Sequence, residues 1–135
     1  MAMFGALNAA SSGLTVSRVW LDAISDNIAN VNTVRAPGTE PFRARMVQVQ
    51  SIDRGTGEPG GAQVVSISDR QGDPNWIYDP THPLANEEGY VLGANVDLSV
   101  EMTNMLIAQR SYQANLKMTE IATDTYRSGI QIGKR

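Results

Sequence analysis

The sequence predicts a mainly α protein with a small β insert. Its N- and C-terminal helices pair as an antiparallel coiled coil, and a β-hairpin and loop region lies between them. Proline placement gives the first indication. All six prolines (Pro37, Pro41, Pro59, Pro74, Pro80 and Pro83) and eight of the twelve glycines fall in the middle of the 135-residue chain. Proline lacks a backbone donor and clashes with the preceding helical turn, so the middle cannot hold a long helix, whereas the two ends can. The second indication is that both ends space their apolar residues at helical intervals. The third is that short runs in the middle alternate instead. The implied units are residues 1–32 with 95–135 as paired terminal helices, and 33–94 as the insert.

In the first segment Met3, Leu7, Ala10, Leu14, Leu21, Ile24, Ile28 and Val31 follow one another in steps of four and three, with Ser17 the one interruption. Such steps keep side chains on one helical face, and a sustained seven-residue repeat is a coiled-coil seam. A helix over residues 4–31 would be about 42 Å long. A solvated helix face is usually rich in Lys and Glu. Here the first thirty residues carry only Arg18, Asp22 and Asp26 as charges. Small uncharged residues around the helix suit one that other helices surround. Gly5, Gly13 and the Ser11-Ser12 pair are poor helix formers, each glycine costing roughly 1 kcal/mol against alanine, so this helix is expected to depend on partners.

Before the last segment, Asn95 or Asp97 can accept the free amides of a first helical turn, and Glu101 suits its positive end. A seam then runs through Leu98, Met102, Met105, Tyr112, Leu116, Tyr126 and Ile130, with Gln109, Thr119 and Thr123 as gaps. A second row, Val100, Ile107, Ala114 and Ile121, repeats every seven residues on an adjoining face. Either one row meets the N-terminal helix and the other a neighbouring molecule, or both form one wide core stripe. Gly129 and Gly133 are candidate stops.

In the middle, Phe42, Ala44 and Met46 alternate, and Val47 and Val49 continue in the opposite phase, which predicts a bulge or a strand that turns its face. Residues 62–68 form a second strand, and the Gly- and Pro-rich 53–61 stretch between them reads as a mobile hairpin loop. Residues 76–78 and 90–92 are candidate short strands around a turn at 79–83. So small an insert cannot hold a large core.

Little supports chemistry. The net charge of −3 argues against a sequence-independent nucleic-acid binder. No apolar run is long enough to span a bilayer. Without cysteine there are no disulfides or thiolate metal ligands. Residues 1–17 hold no Lys or Arg, so a basic secretory n-region is missing. His82, the single histidine, sits on a turn between Thr81 and Pro83 and has no second histidine to share a zinc site. Gly55-Thr56-Gly57 lacks the Lys-Ser/Thr of a phosphate loop, and Glu87-Glu88 reads as a solvated pair. No catalytic residue, metal ligand or cofactor is assigned, and neither a nucleic acid nor a small-molecule substrate is expected.

Two stretches carry a resemblance. Residues 24–33, with Asn27, Ala29, Asn30 and Asn32, are similar to the N-terminal segment of flagellar rod and hook proteins. Asn95-Val96-Asp97, then residues 101–105, then 108–115 with Tyr112, Gln113, Ala114 and Asn115, are similar to the C-terminal helix of the same proteins. Residues 41–45, 78–85 and 89–91 resemble the FlgC-type proximal-rod branch of the flagellar basal-body rod family. Two departures stand out: Ala94 occupies a position where the family usually has proline, and Ser17 breaks the seam.

The resemblance implies a structural subunit, not an enzyme. Its implied partners are copies of itself and other flagellar rod subunits, with the export gate, the membrane-ring base and the neighbouring distal rod. It also implies export through the flagellar type III apparatus, a place in the basal-body rod crossing the periplasm, and assembly into a torque-transmitting tube. Two other functions are weighed against it. One is a helical secretion chaperone or adaptor, stable alone and closed in its oligomers. The other is a small secreted hydrolase using His82.

Overall fold

A computed structural model of the chain describes residues 2–52, 55 and 60–133. In order, α1 (Ala2–Ala29) is followed by β1 (Val34–Arg35), β2 (Arg45–Ser51), β3 (Ala62–Asp69), β4 (Asn75–Tyr78), β5 (Tyr90–Gly93) and α2 (Leu98–Gly133). The protein is mainly helical with a small antiparallel sheet region. Of the 53–61 loop, only Gly55, Gly60 and Gly61 fall within the described residues.

α1 ends earlier than its apolar spacing predicts. The Asn30 amide donates to the Asp26 carbonyl at 2.9 Å, and the Thr33 hydroxyl donates to Asn30 Oδ1 at 3.1 Å. These bonds satisfy the helix end locally and turn the chain. Val31 therefore lies in the turn, half-buried beside Ala94 to Leu98, and not on the helix. At the other end of the insert Asp97 is the helix cap. Its Oδ1 accepts from the amides of Ser99 and Val100 at 2.9 and 3.2 Å. Asn95 instead joins the insert, with its amide on the Phe42 carbonyl and its side chain on that of Asp73. α2 passes through Gly129 without stopping. One glycine costs a helix only about 1 kcal/mol, and no capping geometry ends it there.

The insert forms two separate sheets. β2 and β3 make an antiparallel hairpin whose register shifts between Gln48 and Val49, just past the phase change in the sequence. β1, β5 and β4 form a three-stranded antiparallel sheet in that order. The two-residue β1 is too short to show any periodicity, and it escapes a reading of the sequence for that reason. Ala94 donates to the Thr33 carbonyl at 3.0 Å, so this sheet ties the end of α1 to the start of α2.

The core is narrow. Of the eight buried apolar side chains among the described residues, five are alanines, so close approach rather than bulk fills it. Phe4 meets Tyr126 edge-on at 6.3 Å, Ser17 donates to Ser111 at 3.2 Å, and Asn27 donates to Glu101 at 3.1 Å. Partner numbers thus fall along α2 as they rise along α1. A Cβ at Gly13 would sit 2.7 Å from Asn115 Nδ2, so Gly13 and the end of the Asn115 side chain lie in close contact between the two helices. Ser12 anchors the hairpin, since its hydroxyl donates to the Ala9 carbonyl at 2.8 Å and accepts from the Ala62 amide at 3.0 Å.

Gly61, at φ 86°, lies against this anchor, and a Cβ there would collide with the Ser12 hydroxyl and approach Ala9 Cα to 3.2 Å. Gly38 has a similar φ of 91° but open space around it. We expect Gly61→Ala to cost more than Gly38→Ala. Both pay the left-handed backbone penalty of about 1 kcal/mol, and only Gly61→Ala adds a clash, for a total of roughly 2–3 kcal/mol. Urea unfolding of the two variants checks this, and equal costs would show that the hairpin is not seated on α1.

Candidate assembly interface

No group of three or more His, Asp or Glu side chains that could hold a metal occurs among the described residues. None of their helices is long and apolar enough to cross a membrane. His82 Nδ1 accepts from the Leu84 amide at 3.1 Å and serves its own turn. Beside it, Asp79 accepts from the Thr81 hydroxyl at 2.8 Å, which holds its carboxyl below the usual carboxylate range. These bonds close a turn and offer no convergent reactive site.

Polar order lies instead where three elements meet. Asn27, only 1% exposed, accepts from the Arg45 amide at 2.7 Å and donates to the Arg45 carbonyl at 3.0 Å. One side chain thus pairs with the open edge of β2 as a strand residue would. The same Nδ2 donates to Glu101 Oε2, and Glu101 is only 3% exposed. A buried carboxylate without such a donor would be costly. Asp26 Oδ2 lies 3.0 Å from Arg45 Nη1, a partly exposed ion pair of modest worth at the same junction.

The family-like residues divide by role. Asn27, Asn30, Asn95 and Asp97 make the bonds just described. Val96 is half-buried beside them, while Ala29 and Asn32 are exposed. In α2, Tyr112 and Asn115 are half-buried towards α1, and Gln113 and Ala114 face outward.

The expected seam separates into two parts. In α1, Ile24 is buried, and Leu7, Leu14, Leu21 and Ile28 are half-buried; the side chain of Met3 lies outside the described part. Ser17, the apparent gap, is buried and matched by Ser111. In α2, Met105 and Tyr112 are half-buried, but Leu98, Met102, Leu116, Tyr126 and Ile130 are exposed. The line nearest α1 is a third row, Glu101, Ala108, Asn115 and Ala122, whose members are buried or half-buried. Being small or polar, that row gives no hydrophobic signal. Its legible trace was Gly13, which faces Asn115 from α1.

The apolar rows of α2 stand on either shoulder of that line. Met102, Leu116 and Ile130 lie one residue after it and Val100, Ile107 and Ile121 one residue before, each about 100° round the helix. All six are 42–57% exposed. α1 by contrast shows solvent a stripe of Asn8, Ser11, Thr15, Arg18, Asp22 and Ser25. Apolar surface on two sides of one helix is thus left uncovered within the chain.

Two family models match the chain. One, described as flagella basal body rod protein, covers residues 7–36, and the other, flagellar basal body rod FlgEFG protein C-terminal, covers residues 87–132. The chain is also similar to proteins named flagellar basal-body rod protein FlgC. It is 37% identical to that of Bacillus subtilis, over 99% of this chain and 100% of the relative. Against Salmonella typhimurium the identity is 33%, with the same coverage. With Borreliella burgdorferi it is 34%, over 98% of each.

The junction makes a direct prediction. Asn27→Leu should destabilise the protein by roughly 2–4 kcal/mol, because it strands Glu101 and the Arg45 backbone without partners. Glu101→Gln in the same background should recover part of the loss, since a neutral amide is cheaper to bury than an unpaired carboxylate. Denaturant midpoints of the wild type and both variants test this, and an unchanged Asn27→Leu midpoint would remove the junction from the account.

Proposed function

The chain belongs to the FlgC-type flagellar basal-body rod proteins and is a structural subunit of the basal-body rod, not an enzyme; from that premise we propose how it assembles. Residues 1–32 and 95–135 act as one axial unit, with the two helices paired as an antiparallel coiled coil, and 33–94 is carried between them as an insert. The falling partner numbers along α2 support this pairing.

The observation that carries the proposal is the pair of exposed apolar shoulders on α2. Small and polar residues make several of the contacts between the two helices of one chain, and the six large apolar residues of the shoulders remain for neighbours. Each shoulder accepts a helix of an adjacent subunit, either a copy of this chain or another rod protein. Completing the burial of six half-exposed side chains contributes roughly 1 kcal/mol each, enough to make a lattice of individually weak contacts firm. Helices held on both sides resist rotation, as transmission of torque requires.

In this reading the subunit is delivered by the flagellar type III apparatus. It seats next to the export gate and membrane-ring base, with the distal rod beyond. A chaperone or adaptor is the weaker alternative, because its binding face would be a single groove and not two opposed shoulders.

Leu116→Asp and Ile107→Asp should abolish rod formation while leaving the isolated chain folded. Each charge is tolerated in water but would be buried unpaired in the assembly, at a cost of several kcal/mol. Leu21→Asp and Ile28→Asp should disturb the chain itself as well. Electron microscopy of basal bodies, with circular dichroism of each purified variant, separates the cases; a motile Leu116→Asp strain would overturn the proposal. His82→Ala should keep motility, since its bonds close only a local turn.

A further inference from the structure

The β2–β3 hairpin is built of residues that attract further strands. Neither strand holds Pro or Lys, and their only charges are Arg45 and Asp69, which stand opposite each other at the base. Met46, Val49, Val65 and Ile67 are all exposed. Apolar, weakly charged strands with open edges are templates for pairing with another chain, and a two-stranded hairpin has two such edges.

The hydrogen bonds at the two ends of the hairpin fix which backbone groups face those edges. Arg70 donates to the Ala44 carbonyl at 2.7 Å, and Ile52 donates to the Gly61 carbonyl at 2.9 Å. Bonded and non-bonded pairs alternate along an antiparallel ladder, so the next residues, Arg45 on β2 and Ala62 on β3, turn their amides outward. A side chain of α1 meets each of them. Asn27 takes both backbone groups of Arg45, and Ser12 Oγ accepts from the Ala62 amide at 3.0 Å.

Ser12 and Asn27 are separated by about 22 Å of helix. α1 packs on both strands, and it crosses the hairpin obliquely. It reaches the edge of β3 at the loop end and the edge of β2 at the base. Between those points the register passes from Ser66 to Val64, and the bulged Val65 interrupts the β3 edge midway. Serine and asparagine both weaken a helix, so neither is placed there for the sake of α1 itself.

We propose that Ser12 and Asn27 guard the two edges of the hairpin, holding α1 where the hairpin of a second copy would otherwise add as a further strand. The occupant kept out is a second copy because each chain presents the same two open, apolar strands. This contact is separate from assembly through the α2 shoulders. Strand addition would draw the chain into β-rich aggregates, and the guards keep the insert a discrete hairpin.

Purified full-length chains test the proposal by thioflavin T fluorescence. Ser12→Ala removes the acceptor while favouring the helix, and we expect it to speed thioflavin-positive assembly about tenfold. Asn27→Ala combined with Glu101→Ala opens the β2 edge without stranding a carboxylate, and should act in the same way. Asp97→Ala, which weakens the chain at the α2 cap away from the hairpin, measures the effect of lost stability alone. Ile67→Lys, a charge on the exposed strand, should return the Ser12→Ala chain to the wild-type rate. Gln63→Cys reports the contact directly, since the chain has no cysteine of its own. It should give a disulfide-linked dimer in the Ser12→Ala background and not in the wild type. Assembly of Ser12→Ala or of the Asn27 double variant no faster than that of Asp97→Ala would overturn the proposal. So would failure of Ile67→Lys to slow it, or equal dimer yield with Ser12 intact.

Discussion

The side-chain amide of Asn27 is the constraint on which the arrangement depends. It bonds to the partner helix of α1 and to the hairpin together, through Glu101 Oε2 and both backbone groups of Arg45. An amide suits this task because it donates and accepts at once. Aspartate would set a second anion beside Glu101, and an apolar residue would leave three polar groups dry. With so few large side chains buried, directional bonds of this kind fix the angle between elements that hydrophobic packing alone would leave loose. Asp97 extends the constraint by starting α2 at a defined residue, so that Glu101 arrives one turn later opposite Asn27.

A structural subunit of an assembly has to divide its apolar surface between itself and its neighbours. Here the division follows size. Where α1 and α2 approach most closely, Gly13, Ser17, Ala108, Ser111 and Asn115 are small or polar. The larger Val100, Met102, Ile107, Leu116, Ile121 and Ile130 stand aside and remain exposed. An isolated globular domain of this length would place such residues inside, because burial contributes about 25 cal/mol per Å². Leaving them out is sensible only if another chain covers them. The match to FlgC proteins over almost the whole chain identifies a basal-body rod subunit, a protein that works within an assembly.

Much of this organisation is visible in residues alone. Confinement of proline to the middle marks the two helical ends, the change of phase near Met46 marks a bulge or a turn of the strand's face, and Asn95 or Asp97 marks the start of α2. Other features left a trace without an interpretation. Gly13 and Ser12 look like weaknesses of a helix that needs outside help. They prove to be the points where Asn115 and the Ala62 amide come close. Ser17 looks like a break in the seam, and it is buried against Ser111. Intrinsic propensity is a statement about an isolated helix, and it does not register a partner ninety residues away in sequence.

By itself the sequence determined the kind and order of every element but the two-residue β1, because backbone sterics and the 3.6-residue and two-residue periods act locally. It also showed two apolar rows on α2, which fit either one row for α1 and one for a neighbouring molecule or a single wide core stripe. What it left open was which side of α2 faces α1. Only tertiary structure decided that: Glu101, Ala108, Asn115 and Ala122 turn inward together with Met105 and Tyr112 of the first apolar row, and the second row stays exposed. Hydrophobic periodicity reports surface that must leave water, whereas the line of closest approach between two helices is set by which side chains are short enough to allow it. Ala108 meets that steric condition, Glu101 is held inward by its bond from Asn27, Asn115 lies against Gly13, and the apolar shoulders stay exposed on either side.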